Sequence, residues 1–147
     1  MTRQYVKSMH DSVGAWAKRC YFAGRAAMDS ALRTFDLGST QWYVLYQLAH
    51  DGPTRQRELA TMLQIERASM SGIVSTLLRK GLVDQIPEQT DQRQKLLRLT
   101  ASGLKLWSEL PNLTFIAQVA FENIEASDIA TTIRVLQTAT ERLEKLA

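Results

Sequence analysis

The chain is short of several things at once. Its 147 residues include one cysteine, Cys20. An intrachain disulfide is therefore excluded, as is a zinc site built on cysteine pairs. Histidine is scarce too: His10 and His50 stand far apart with no companion ligand set, so no metal and no cofactor is expected. The three prolines, Pro53, Pro87 and Pro111, are too few for a proline-rich linker. No apolar run approaches the length that spans a bilayer. The opening MTRQYVKSMHDSVGAWAKRC has no unbroken apolar core of the signal-peptide kind. These absences predict a cytoplasmic protein with no membrane attachment. A P-loop, HExxH, GxSxG and a dinucleotide fingerprint are all missing, so no enzyme is expected.

What is present suits one domain, or two small lobes sharing a core. Hydrophobic residues make up 45% of the chain and charged residues 22%. The net charge is only +3, but it is unevenly spread. Residues 54–100 hold eight Lys/Arg against five Asp/Glu, and residues 101–147 hold four against six. A basic middle and an acidic end are compatible with an anionic partner for the middle segment.

Apolar residues at three- and four-residue steps predict a first helix over about Tyr5–Phe35. Asp36-Leu37-Gly38 breaks it. Ser39 is the expected cap of a second helix, Thr40–His50, and Thr54 that of a third, running through Met62. Glu66–Lys80 reads as a fourth, ended by Gly81. The period then changes, and Leu82–Ile86 and Lys95–Leu99 read as strands. Thr100 caps a helix to about Leu110, Pro111 interrupts it, and Ser127-Asp128 opens the last helix. The fold class is mainly α (α+β): a winged helix-turn-helix over 37–110. Residues 1–36 and 111–147 form the helical dimerisation lobe, since long terminal helices with little core of their own call for a second chain.

The segment between the strands is polar and carries Arg93 near its tip. It lacks the Asn-Gly or Asp-Gly of a tight hairpin. A long loop with a guanidinium can enter the narrow minor groove, whose negative potential attracts it. Asp91 has the wrong charge for DNA and reads as the residue that orients Arg93. On the fourth helix, Arg67 can contact guanine through a fork of two bonds, and Ser69 and Ser71 suit base or phosphate contacts. Gln64, Arg55, Arg57 and Lys95, with Arg79 and Lys80, flank this unit as phosphate candidates that position without specifying. Each is also readable as an ordinary surface charge. Ahead of the reader helix, Arg25 and Tyr21 share a helical face, with Trp42 and Arg19 nearby in sequence. An arginine beside aromatic rings can hold an aromatic carboxylate, although aromatic residues at helical spacing are also ordinary core.

Linked motifs identify a family. QWYVLYQLA (41–49), ELATML (58–63), GLV (81–83) and DQRQKLLRLTASG (91–103) follow one another as they do in the MarR-type transcriptional regulators, which the chain resembles from about Gly24 to Trp107. The resemblance implies a homodimer on pseudo-palindromic double-stranded DNA, most often as a repressor, released by a small ligand such as an aromatic acid. It places minor-groove contact on Arg93, and a ligand pocket between the dimer helices and the winged lobe. Two other readings stand beside it. One is a peroxide-sensing regulator switching through Cys20, against which Gly24 stands where such sensors carry a tyrosine; a buried, inert Cys20 is expected. The other is an interaction module that keeps the winged fold without DNA.

Overall fold

A computed structural model describes residues 9–91 and 94–147. The first residues of the expected N-terminal helix, and Gln92 and Arg93 of the wing, lie outside the described residues. Two compact units divide the chain, Met1–Asn112 and Leu113–Ala147.

In the first unit, helix α1 (Val13–Leu32) starts on a Ser12 cap, whose hydroxyl accepts from the Ala15 amide at 3.1 Å. A 3₁₀ turn, Arg33–Phe35, ends at Asp36 in the left-handed region, φ 55°. Helix α2 (Ser39–Asp51) follows. Ser39 does not cap it as expected. Gly38 is the N-cap, and the Asp29 carboxylate of α1 accepts the Ser39 amide at 2.6 Å. The Ser39 hydroxyl is free for Arg25, whose Nε donates to it at 3.3 Å. A carboxylate one helix away outcompetes the local hydroxyl because it bears full charge at a helix N-terminus.

Thr54 is likewise not a cap. It is buried in a two-residue strand, β1 (Thr54–Arg55), and its hydroxyl donates to the Gly52 carbonyl at 2.8 Å. Two residues are too few to show a period. Arg55 then precedes α3 (Gln56–Leu63), and Glu66 is the N-cap of α4 (Arg67–Arg79). Strands β2 (Val83–Pro87) and β3 (Lys95–Leu99) form the expected antiparallel wing, with Val83 opposite Leu99 and Pro87 opposite Lys95. Strand β1 adds to the far edge of β3, giving the order β1-β3-β2.

Leu32, Val44, Leu45, Leu59, Met70, Leu77 and Leu97 are fully buried and join α1, α2, α3, α4 and β3 into one core. Each contributes about 1.5–3 kcal/mol by leaving water. Helix α5 (Ala101–Glu109) docks through Thr100 and Gly103. The Thr100 hydroxyl donates to the Gly81 carbonyl at 2.6 Å and accepts from the Gly103 amide at 3.0 Å. A Cβ on Gly103 would lie 2.1 Å from the Leu82 carbonyl oxygen, so only glycine fits. Gly81, at φ 71°, turns the chain from α4 into the wing.

The second unit holds α6 (Thr114–Ala120) and α7 (Ala126–Glu144). Neither has a buried residue, and Val119, Ile133, Leu143 and Leu146 are 70%, 52%, 63% and 82% exposed. Among the described residues no helix is long and apolar enough to cross a membrane.

Candidate nucleic-acid interface

Helix α3 stops at Gln64, which takes the left-handed conformation at φ 54°. The Ile65 amide closes back on the Ala60 carbonyl at 3.0 Å. This sharp exit lets α4 start across α3. Met70, Val74 and Leu77 anchor the inner face of α4. At 100° per residue, the opposite face then carries Ala68, Gly72 and Ser75, all exposed, with Arg79 at its end. Among the described residues nothing outside the helix's own backbone approaches within 4 Å of where a Gly72 Cβ would stand. A mid-helix glycine costs about 1 kcal/mol relative to alanine, and no neighbour among the described residues requires this one.

Beside that bare face lies an open cleft of about 250 Å³, lined by Gln56, Arg57, Ala60, Arg67, Met70 and Ser71. The Gln56 amide donates to the Ser71 hydroxyl at 3.1 Å across it. The fold thus gathers Arg57, Arg67 and Ser71, two guanidiniums and a hydroxyl, along one flank of a helix narrow enough to enter a major groove. Ser69 is exposed on the other flank, Gln64 sits at the turn, and Lys95 begins the returning wing strand. Gln56 is a further member of the cleft. Position alone would not have found it, since it becomes the first residue of α3 only once Thr54–Arg55 is a strand.

Two of the flanking cations are engaged inside the protein. The Lys80 ammonium donates to the Asp36 carbonyl and to Gln41 Oε1, the latter at 3.2 Å, and lies 3.5 Å from the Asp36 carboxylate. Arg55 holds Glu88 through both arms of its fork, with Nε to Oε2 at 2.8 Å. The hydrogen bonds to Arg55, outweighing partial burial, hold the Glu88 carboxyl below the usual carboxylate range. At the wing's end the Glu88 amide meets the Gln94 carbonyl at 3.1 Å, and the Gln94 amide meets the Asp91 carbonyl at 3.0 Å. The expected partnership of Asp91 with Arg93 lies outside the described residues.

The ligand candidates fall into separate groups. Arg25 lies over the Tyr21 ring at 5.8 Å and lines a cleft of about 440 Å³ with Asp29, Arg33, Thr40, Gln41 and Lys80. Arg19 lies over the exposed Trp16 ring at 4.7 Å. Trp42 belongs to an aromatic ladder, stacked on Tyr46 at 5.3 Å and tilted against Trp107 at 5.6 Å. His50 continues it, stacked on Tyr46 at 4.0 Å. Cys20, expected to be buried, is exposed: in the single chain only the last turns of α1 reach the core, through Met28 and Leu32.

The MarR family model matches residues 35–94, which span α2, the helix-turn-helix and most of the wing. The HTH-type transcriptional regulator FarR of Neisseria gonorrhoeae is 34% identical over 105 residues, covering 71% of this chain and 72% of that protein. The chain belongs to the MarR family. The HTH-type transcriptional repressor IacR of Pseudomonas putida is 26% identical over 132 residues, covering 89% of this chain and 79% of its own. Among solved structures, the PcaV transcriptional regulator of Streptomyces coelicolor, in complex with its natural ligand, superposes with a TM-score of 0.74. It is 25% identical and is covered over 95% of its chain, against 91% of this one. This MarR-family chain is therefore a DNA-binding transcriptional regulator with a mainly helical winged fold.

Proposed function

We propose that this MarR-family regulator is a cytoplasmic homodimeric repressor. It binds a pseudo-palindromic operator through α4 and is released by a small aromatic acid. The observation that carries the DNA reading is the bare outer face of α4 beside the Arg57–Arg67–Ser71 cleft. Small residues admit the helix, Arg67 and Ser71 read base edges or phosphates, and Arg57 holds the backbone. Ser69, Gln64, Lys95 and Arg93 extend the contact along the duplex.

The dimer is supported by the apolar residues left exposed on α6 and α7 and on the first turns of α1, including Trp16 and Phe22. These segments make the dimerisation lobe of 1–36 and 111–147, and place two α4 helices about 34 Å apart for successive major grooves. IacR is by name a repressor, and PcaV carries a natural ligand. Arg25, beside Tyr21, supplies the fork for a carboxylate, while Arg19 and Trp42 lie in separate groups of the single chain. A duplex selected by the protein from a random-sequence library tests the reading. It should contain an inverted repeat, and benzoate or its hydroxylated derivatives should release it where benzyl alcohol does not. A selected sequence without repeat symmetry overturns the dimeric reading, and equal release by benzyl alcohol overturns carboxylate recognition.

A second reading is a thiol switch through Cys20, which is exposed in the single chain. A Cys20→Ser variant that loses peroxide-triggered DNA release would carry it.

A further inference from the structure

The wing is held to the helix-turn-helix by very little backbone. Strand β1 contributes two pairs to β3, Thr54 with Leu97 and Arg55 with Leu96. Beyond Leu96 the returning strand has no β1 partner, although the hairpin continues through the Pro87–Lys95 pair and the bond from the Glu88 amide to Gln94. A hairpin of two strands is free to twist where its sheet ends.

Among the described residues, the Arg55–Glu88 side-chain pair bridges that gap. Arg55 is the last residue of β1 and the cap position of α3. From there its guanidinium reaches past the central strand β3 to Glu88, one residue beyond β2. Both nitrogens of the fork engage both carboxylate oxygens. The side chains are 33% and 17% exposed, so the pair is largely withdrawn from water. The Thr90 hydroxyl donates to Glu88 Oε1 at 3.2 Å from within the wing loop, and Glu58 of α3 lies 3.8 Å from Arg55 Nε. The carboxylate thus connects the wing loop to the first turn of the helix-turn-helix, across 33 residues of chain. A planar fork fixes distance and angle together, which a lysine ammonium cannot do.

We propose that Arg55 and Glu88 form a strut: Arg55 is a positioning residue that sets the base of the wing against α3, not a phosphate contact, and the acidic Glu88 is required for operator recognition. Its charge makes Glu88 an unpromising residue for a DNA-binding surface, and its removal would ordinarily be expected to strengthen binding. The strut reverses that sign. With Glu88 in place, the guanidinium is neutralised and held side-on in the sheet, and the wing meets the duplex at one angle.

The experiment rests on the DNA reading proposed above, and it separates the two. The unaltered protein's preference for its library-selected duplex over a random one measures that reading by itself. Glu88→Gln, Arg55→Ala and Arg55→Lys are then titrated on both duplexes over a range of salt. Glu88→Gln and Arg55→Lys should each weaken binding to the selected duplex about tenfold, as much as Arg55→Ala does, with the salt slope unchanged. Tighter binding by Glu88→Gln, with a slope steeper by about 0.9 for one added phosphate contact, would overturn the strut. So would unchanged affinity in Glu88→Gln, or Arg55→Lys binding like the unaltered protein. Circular dichroism should show all three folded. A Glu88→Gln chain that unfolds would show the pair to be part of the fold's stability, and that also overturns the proposal.

Discussion

The two units of the chain spend their apolar residues differently. Residues up to Asn112 close a core in which seven leucine, valine and methionine side chains named above are withdrawn from water. Residues from Leu113 carry the same kind of helical pattern, yet α6 and α7 bury nothing. The difference teaches that periodicity reports a face and says nothing about what covers it. In the first unit the cover is the rest of the unit. In the second no cover lies within the unit, and the proposed dimer would supply it from a second copy of the chain.

The strongest way to break the comparison is to spoil the closure of the first unit. Gly103→Ala should cost about 4 kcal/mol or more, because its Cβ would meet a backbone carbonyl that cannot rotate away. Urea unfolding measures it, and a loss below about 1 kcal/mol would show that α5 docks loosely.

Next, paired leucines set the two units side by side. Leu77→Ala, at a fully buried site, should destabilise by about 3 kcal/mol at any protein concentration. Leu143→Ala, 63% exposed in the single chain, should instead weaken association. Its unfolding midpoint should depend on concentration more steeply than that of the unaltered protein. Equal, concentration-independent losses would remove the contrast.

Arg67→Ala sharpens the functional side of the first unit. Its loss should cost about 1–3 kcal/mol on the selected duplex and relax one base pair in each half-site. Equal losses on selected and random duplexes would make it a phosphate contact.

Gly72→Ala separates stability from function. It should stabilise the fold by about 0.4–1 kcal/mol, since no described residue stands where the new methyl goes, and weaken DNA binding if α4 enters the groove by this face as proposed. A stabilised protein with full affinity would mean that α4 does not approach the bases along this face.

The smallest effect is expected at the Asp84–Arg98 pair across the wing strands. The two hydrogen bonds, at 3.1 and 2.9 Å, hold the Asp84 carboxyl below its ordinary range. A carboxyl lowered on folding stabilises the native state above its ordinary pKa, and that stabilisation is lost as pH falls through the lowered value. Asp84→Asn should therefore melt slightly lower than the unaltered protein at neutral pH and together with it in acid. Nearly half of each side chain is exposed, so the neutral-pH gap should be small. A gap that persists in strong acid would assign the effect to shape rather than charge.

The helices other than α6, the wing strands, the Gly81 turn, the Thr100 cap and the break around Pro111 were all legible in the sequence. So was the placing of Arg67 and Ser71 on one helix. Each depends on residues within one or two turns of each other, and periodicity and capping encode that range directly. The tertiary structure alone decided the rest. Strand β1 exists because β3 passes beside Thr54–Arg55, and two residues cannot announce a strand. Ser39 yields its capping role because Asp29 arrives from another helix. Lys80 turns to the α1–α2 connection, and Arg55 to Glu88, because closing the core brings opposite charges into reach across dozens of residues. Local order follows from steric and hydrogen-bonding preferences written into short segments. The partner of a charged side chain follows from where the folded backbone carries it, and no short segment contains that information.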